Sequence, residues 1–196
     1  MRGPTHIPLV LRVLWALALA PWVTGFYVPS IGPQYFHDGD SVPLLVNKVT
    51  SDETTLPYAY YDLSFVCHPA DPEHMWLNLG EVLRGDRIMS SDYELAAAHN
   101  QTCKVLCTRS ISPDQARQAK QLIQQGYHAE WIVDNLPGAT TYRSTADPRI
   151  KTYKPGFALG TFNKFTDTAY LNNHVTLHVL YENVDPPSVA NGRKLV

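Results

Sequence analysis

Ser112-Pro113-Asp114-Gln115-Ala116-Arg117-Gln118-Ala119-Lys120-Gln121-Leu122-Ile123-Gln124-Gln125-Gly126 is the stretch on which the fold class turns, because it is the best-marked helix in a chain of 196 residues. Ser112 is a good N-cap, Pro113 sits at the first helical position, Gln115 completes a capping box and Gly126 fits the C-terminal cap. Ala116, Ala119, Leu122 and Ile123 form one narrow apolar stripe. A helix over residues 113–125 therefore lays one face on a sheet or core. The stripe is too rich in alanine to insert strongly into a membrane surface.

Outward from this helix the pattern changes to short apolar runs. Ala129, Trp131 and Val133 alternate with more polar neighbours up to Asp134-Asn135-Leu136-Pro137-Gly138, giving a strand and then a turn. Residues 174–181 read as the clearest strand, half-buried and antiparallel, with valine and leucine on one face. On the N-terminal side, residues 42–49 read as a strand and 50–55 as a loop. Residues 56–65 are extended and aromatic, with Pro57 barring a helical interior. A proline-imposed loop at 68–72 precedes strands expected at 93–99 and 104–108. One helix among six or more short strands predicts a mainly β domain, a β-sandwich or jelly-roll-like fold with a single inserted amphipathic helix. Fifteen prolines and eleven tyrosines favour the same class over a helical bundle.

The N-terminus reads as a secretory signal over residues 1–25. Arg2 and Arg12 supply positive charge, residues 7–20 are almost continuously apolar, and Val23-Thr24-Gly25 offers small residues for cleavage. Residues 26–196 then form one domain, lumenal or extracellular and large enough to bury a core. Removing the two arginines leaves 14 basic side chains against 18 acidic ones, about −4 net, which argues against nucleic acid as a partner.

Cys67, Cys103 and Cys107 survive into an oxidising compartment, so one bridge and one spare thiol are expected. In a strand, Cys103 and Cys107 would stand roughly 13 Å apart at ~3.3 Å per residue, too far to bond. Pairing of Cys67 with Cys103 or with Cys107 is preferred, unless a tight turn separates the latter two. Asn100-Gln101-Thr102 is a glycosylation sequon behind a signal peptide, which marks Asn100 as exposed and glycosylated.

No catalytic signature emerges. His174 and His178 would share a strand face but stand ~13 Å apart, too far to hold one ion unaided. His37-Asp38-Gly39-Asp40 reads as a turn before a strand and lacks the ligand series of a calcium loop. There is no Gly-x-Ser-x-Gly elbow, His-Glu-x-x-His pair or phosphate loop, and no cofactor or metal is implied. Leu79-Gly80-Glu81-Val82-Leu83-Arg84-Gly85-Asp86-Arg87-Ile88 has neither helical nor strand periodicity and reads as a shaped, structural loop. Its four charges, Glu81, Arg84, Asp86 and Arg87, are expected to neutralise one another. Gly80 and Gly85 mark its turns, and Arg84-Gly85-Asp86 belongs to that turn instead of serving as an adhesive tripeptide.

This loop joins a series of separated blocks: Val46-Asn47-Lys48, Leu56-Pro57-Tyr58 through Tyr60-Tyr61, Phe65, Cys67, Cys103 and Cys107, Trp131-Ile132-Val133-Asp134-Asn135-Leu136-Pro137, residues 156–160, and Asn173-His174-Val175. In this order they resemble the lumenal N-terminal domain of the transmembrane 9 superfamily, the nonaspanins, across nearly all of residues 26–196. The resemblance implies a signal peptide, a β-rich lumenal domain and nine membrane spans, in Golgi or endosomal membranes. It implies a role in sorting other membrane proteins to the surface, without a catalytic residue set. The expected partners are the protein's own membrane domain and membrane-protein cargo. The chain stops at Arg193-Lys194-Leu195-Val196, where the family pattern continues the lumenal domain before the first span. The expectation is therefore a domain incomplete at its C-terminus. Two other classes compete with it: a secreted carbohydrate- or ligand-binding β-sandwich, and a hydrolase of lumenal substrates.

Overall fold

In the computed structural model, residues 34–183 and the backbone of 193–195 are described. The expected signal segment lies outside them. The first half of the domain contributes β1 (Ser41–Thr50), β2 (Tyr58–Ala59), α1 (Leu79–Leu83), β3 (Met89–Ala96) and α2 (Pro113–Gln124). The second half is all strand: β4 (His128–Val133), β5 (Leu136–Pro137), β6 (Ala139–Arg143), β7 (Lys151–Pro155), β8 (Phe157–Ala158), β9 (Gly160–Asn163), β10 (Thr168–Leu171), β11 (Tyr181–Asn183) and β12 (Arg193–Leu195). The mainly β class holds, with antiparallel sheets throughout.

Strand β1 is the axis. Val42, Leu44 and Val46 are buried and alternate with exposed Ser41 and Pro43, the period of two that a half-buried strand requires. One edge of β1 pairs first with β3 and then, at Lys48 and Val49, with β2. The other edge pairs with β4 from Leu44 to Thr50. Beyond β4, the sheet is completed by β5 at Ile132 and Val133 and by β8 at His128 and Ala129. Asp134 and Asn135, both at positive φ (46° and 61°), make the two-residue turn from β4 into β5, the primed geometry that matches strand twist.

A bulge interrupts β1. Its register moves from Val46 opposite Trp131 to Val49 opposite Ala129, three steps on β1 against two on β4. Both valines stay fully buried. The inserted residue swings Asn47 and Lys48 out of the apolar alternation, which is how bulges re-aim side chains.

The core gathers on Trp131, whose ring centroid lies 4.6 Å from Phe157, 4.8 Å from Tyr93 and 6.2 Å from Tyr60. Helix α2 brings Leu122 and Ile123 into this cluster and packs on the β9–β10 hairpin. Its N-cap box is present: Ser112 Oγ accepts from the Gln115 N–H, and Gln115 Oε1 accepts from the Ser112 N–H. At the other end the Gly126 and Tyr127 N–H groups donate to the Ile123 and Leu122 carbonyls, a Schellman closure. The buried stripe begins at Ala119, not Ala116, and the helix ends at Gln124.

Four expectations are corrected. Residues 56–65 pair only at Tyr58–Ala59 and then enter a 3-10 turn, Tyr60–Asp62, which drives Tyr60 into the core. Residues 104–108 join no ladder, because this segment is held by the bond between Cys67 and Cys107 (Cα separation 5.9 Å), with Cys103 left free and exposed. Residues 174–180 form no strand, although Val175 and Leu177 still pack on the core, so the alternation survives without a ladder. Finally, residues 79–83 are a helix, so α2 is not the only one.

Gly156 shows why the block at residues 156–160 is constrained. Its φ is +74°, and a Cβ there would stand 2.6 Å from His128 Cδ2 and 2.8 Å from the Ala129 carbonyl. Backbone cannot move aside as a flexible side chain can. Gly156→Ala is expected to lower unfolding free energy by about 2–4 kcal/mol, combining a forbidden conformation with overlap. Urea titration measures it; a loss within about 0.5 kcal/mol, typical of a neutral surface change, would show that the β4–β8 contact is not tight.

Candidate functional site

The segment at residues 79–88 is built as a one-turn helix closed at both ends. Asn78 Oδ1 accepts from the Glu81 N–H (3.0 Å) while Glu81 Oε2 accepts from the Asn78 N–H (2.7 Å), a reciprocal capping box. At the other end the Gly85 N–H donates to Val82 and the Asp86 N–H to Glu81, both at 3.0 Å. This Schellman closure needs a left-handed residue after the cap, and Gly85 supplies it at φ +73°. The closure also delivers the next side chain, Asp86, toward β1.

Asp86 is the buried anchor of the segment, its side chain 5% exposed. Lys48 Nζ lies 2.8 Å from Asp86 Oδ1 and donates to the Arg84 carbonyl at 2.9 Å. Arg84 reaches Oδ2 at 3.1 Å. Asn47, also buried, completes the site: its Oδ1 accepts from the Arg87 N–H at 2.7 Å, and its Nδ2 donates to Asp86 Oδ1 (3.2 Å) and Glu130 Oε2 (3.3 Å). One backbone donor on one side and two carboxylates on the other fix which way this amide points. Thr50 Oγ1 donates to Glu130 Oε1 at 3.1 Å, extending the network along β1. Burial alone would raise the Asp86 pKa, but the hydrogen bonds from Lys48 and Asn47 and the charges of Lys48 and Arg84 outweigh it, so Asp86 is held below its ordinary range.

The four loop charges therefore do not simply neutralise one another. Only Arg84 and Asp86 pair within the loop; Glu81 is spent on the cap, and Arg87 NH1 faces Asp62 Oδ2 at 3.6 Å. Gly80 lies within α1. Sequence reasoning gave no site role to Asn47, Lys48 or Glu130, although Val46-Asn47-Lys48 stands among the blocks that carry the resemblance. The available signal was the polar pair interrupting buried valines at 46 and 49, which marks a bulge. Asp86 is sequestered, so Arg84-Gly85-Asp86 offers no free carboxylate to an adhesive partner.

Beside the anchor lies a cleft of about 360 Å³ lined by Tyr61, Asp62, His74, Met75, Leu77 and Arg87, among others. Burial, then the nearby Asp92 and Tyr93, push the Tyr61 phenol up to about 12, so it remains a donor, bonded to the Ser90 carbonyl at 2.8 Å. Among these lining residues none pairs a nucleophile with a base. Elsewhere, His37 and Asp40 close the turn ahead of β1. Asn100 is exposed. His174 Nδ1 lies 3.8 Å from Cys103 Sγ, and His178 is exposed. No cluster of three metal-ligating side chains occurs among the described residues.

The model of the Endomembrane protein 70 family matches residues 57–193, which takes in Asp86 and Glu130 but not Asn47 and Lys48 on β1. Among similar proteins, transmembrane 9 superfamily member 3 of Saccharomyces cerevisiae is 42% identical over 157 residues, 79% of this chain and 22% of that protein. Transmembrane 9 superfamily member 4 of Mus musculus is 37% identical over 190 residues, 89% of this chain and 29% of that protein. Putative phagocytic receptor 1a of Dictyostelium discoideum is 36% identical over 170 residues, 80% of this chain and 25% of that protein. No solved structure matches. The domain is of an endomembrane class, β-rich, with a short helix anchored on its central strand. The chain belongs to the Endomembrane protein 70 family, the transmembrane 9 superfamily. It spans between a fifth and a third of the length of these relatives, and no helix among its described residues is long and apolar enough to cross a membrane.

Replacing Asp86 tests the anchor. Asp86→Asn leaves the Lys48 ammonium without its carboxylate and is expected to cost about 3 kcal/mol, the effect of breaking a buried pair. The folded carboxyl is depressed, so its contribution is complete above the unfolded value of about 3.9 and is lost as pH falls through the lower folded value. Melting followed between about pH 5 and pH 2 should fall less steeply for Asp86→Asn than for the native chain. Parallel curves would remove Asp86 from the acid response.

Proposed function

We propose that this chain is the non-enzymatic lumenal domain of a multispanning Golgi or endosomal protein that sorts other membrane proteins toward the surface. In this reading the domain packs over the membrane part of the longer protein, with Asn100 carrying a glycan on an uncovered face. The observation that carries it is the outer side of α1. Leu79 (74% exposed), Val82 (56%) and Leu83 (78%) stand at helical neighbour spacing, and fully exposed Trp76 lies just ahead of them. A turn of helix anchored by a buried ion pair yet presenting three large apolar side chains to solvent, with Trp76 exposed just ahead of it, is a surface built to be covered. The relatives' membrane-protein names support a membrane-embedded remainder as the cover.

In the full-length protein, replacing Trp76, Leu79 and Leu83 by serine is expected to reduce recovery of membrane-protein cargo at the surface while leaving the chain's own abundance intact. Surface biotinylation with and without these changes measures it. Undiminished delivery, both for the serine variant and after removal of residues 26–196, would rule out a sorting role for this domain.

A further inference from the structure

The β6–β7 hairpin is a second exposed feature, and its chemistry differs from that of α1. Its strands pair in an unbroken register as a sheet of their own, every residue but Thr140 is exposed, and neither strand pairs with a further one among the described residues. The two ends of the ladder fix which backbone groups it uses. The Gly156 N–H donates to the Gly138 carbonyl and the Ser144 N–H to the Ile150 carbonyl, each at 3.0 Å. Hydrogen-bonded pairs alternate with non-bonded ones in an antiparallel ladder, so between these ends the bonded pairs are Thr140 with Lys154 and Tyr142 with Thr152. The N–H and C=O groups of Thr141 and Arg143 therefore point away from β7, and those of Lys151 and Tyr153 away from β6.

The two outer edges are not equivalent. On β7, Pro155 has no N–H to offer at an outward position, and Lys154 reaches Asp52, in the loop after β1, at 3.6 Å. On β6 the outward positions, Ala139, Thr141 and Arg143, all carry one. Charge is concentrated on the same arm. Residues 139–155 hold Arg143, Arg149, Lys151 and Lys154 against the single acid Asp147, a net of +3 in a chain whose total is −2. Asp147 holds Arg149 at 3.2 Å, whereas Arg143 and Lys151 have no carboxylate within ion-pair distance among the described residues. The register sets these two directly opposite each other in a non-bonded pair, the arrangement that brings side chains closest. Like charges so placed work against the hairpin.

We propose that the outer edge of β6 takes up an extended, acidic segment of a protein partner as an added strand. The outward N–H and C=O groups of Thr141 and Arg143 supply the ladder, as at other sheet edges that bind peptides. A carboxylate beside Arg143 falls on the face that Arg143 and Lys151 share, so attraction replaces their repulsion. A sulfated glycan would satisfy the cations, but it gives the outward backbone groups no partner strand. The surface shares no residue with the α1 ridge, and its occupancy is read out without reference to sorting.

The 196-residue chain is titrated into a short fluorescent peptide alternating threonine and glutamate, and binding is followed by anisotropy. Binding is expected to weaken as salt is raised, and to vanish for the same peptide N-methylated along its backbone. Arg143→Gln with Lys151→Gln should weaken it about tenfold, while Lys164→Gln with Arg117→Gln, an equal loss of charge elsewhere, should not. Thr141→Pro removes an outward N–H that the β6–β7 ladder does not use, and should weaken binding as much with charge unchanged. Unchanged far-ultraviolet circular dichroism and melting confirm that the variants fold. On the unaltered chain, the Thr141 and Arg143 amides should exchange more slowly once the peptide is bound. Equal binding of the N-methylated peptide, an equal loss in both double variants, full binding by Thr141→Pro, or capture by heparin without peptide binding would overturn the proposal. Each of these outcomes leaves the sorting reading to its own test.

Discussion

The contact between Lys48 and Asp86 ties together segments that the chain order keeps far apart. Lys48 is on β1 and Asp86 closes α1, and both charges are nearly out of water, at 14% and 5% side-chain exposure. A buried pair of this kind adds little net stability over an apolar packing of the same shape, but it penalises every arrangement that separates the partners. Its effect is to specify position. Only the bulge in β1 turns Lys48 and Asn47 toward the loop, and only the Schellman closure at Gly85 turns Asp86 toward β1. Each device is without purpose if the other is removed.

The same end-closing grammar is used for both helices, with different results. In α2 the residue after the left-handed glycine is Tyr127, which is buried with Leu122 in the main core, so closure feeds apolar packing. In α1 the equivalent residue is Asp86, and closure feeds an ion pair. Helix α2 is twelve residues long and buries a stripe, whereas α1 has five and buries none of its own side chains. So short a helix cannot persist on propensity alone. Its caps and the Asp86 anchor have to hold it.

This difference also explains what was legible beforehand. The cap residues of α2 bracket an apolar stripe, so periodicity and caps pointed to the same element. Asn78 and Glu81 carry the same signal, but the segment between the caps has no room for a period, and the block reads as a loop unless Asn78 is included. For β1 and β4 the alternation predicted the strands because a flanking sheet turns alternation into burial. For residues 174–180 the alternation was read correctly as one-sided burial of Val175 and Leu177, yet ladder pairing depends on a neighbour that local pattern does not encode. Lys48 was out of reach for a related reason. Its partner is 38 positions away, and nothing in either segment alone names the other.

The anchor also sets how the outer surface is presented. Were α1 held by burying its leucines, Leu79 and Leu83 would be lost to the core and the segment would show a polar face, as α2 does. Holding it from one end by charge leaves the apolar side outward and the helix fixed in orientation. An exposed apolar side chain on a mobile loop must be ordered whenever it is covered, at a cost of roughly 1–2 kcal/mol for each backbone position. Here that ordering is already complete in the free domain. The polar network on the inside and the apolar ridge on the outside are thus two consequences of one choice of anchor.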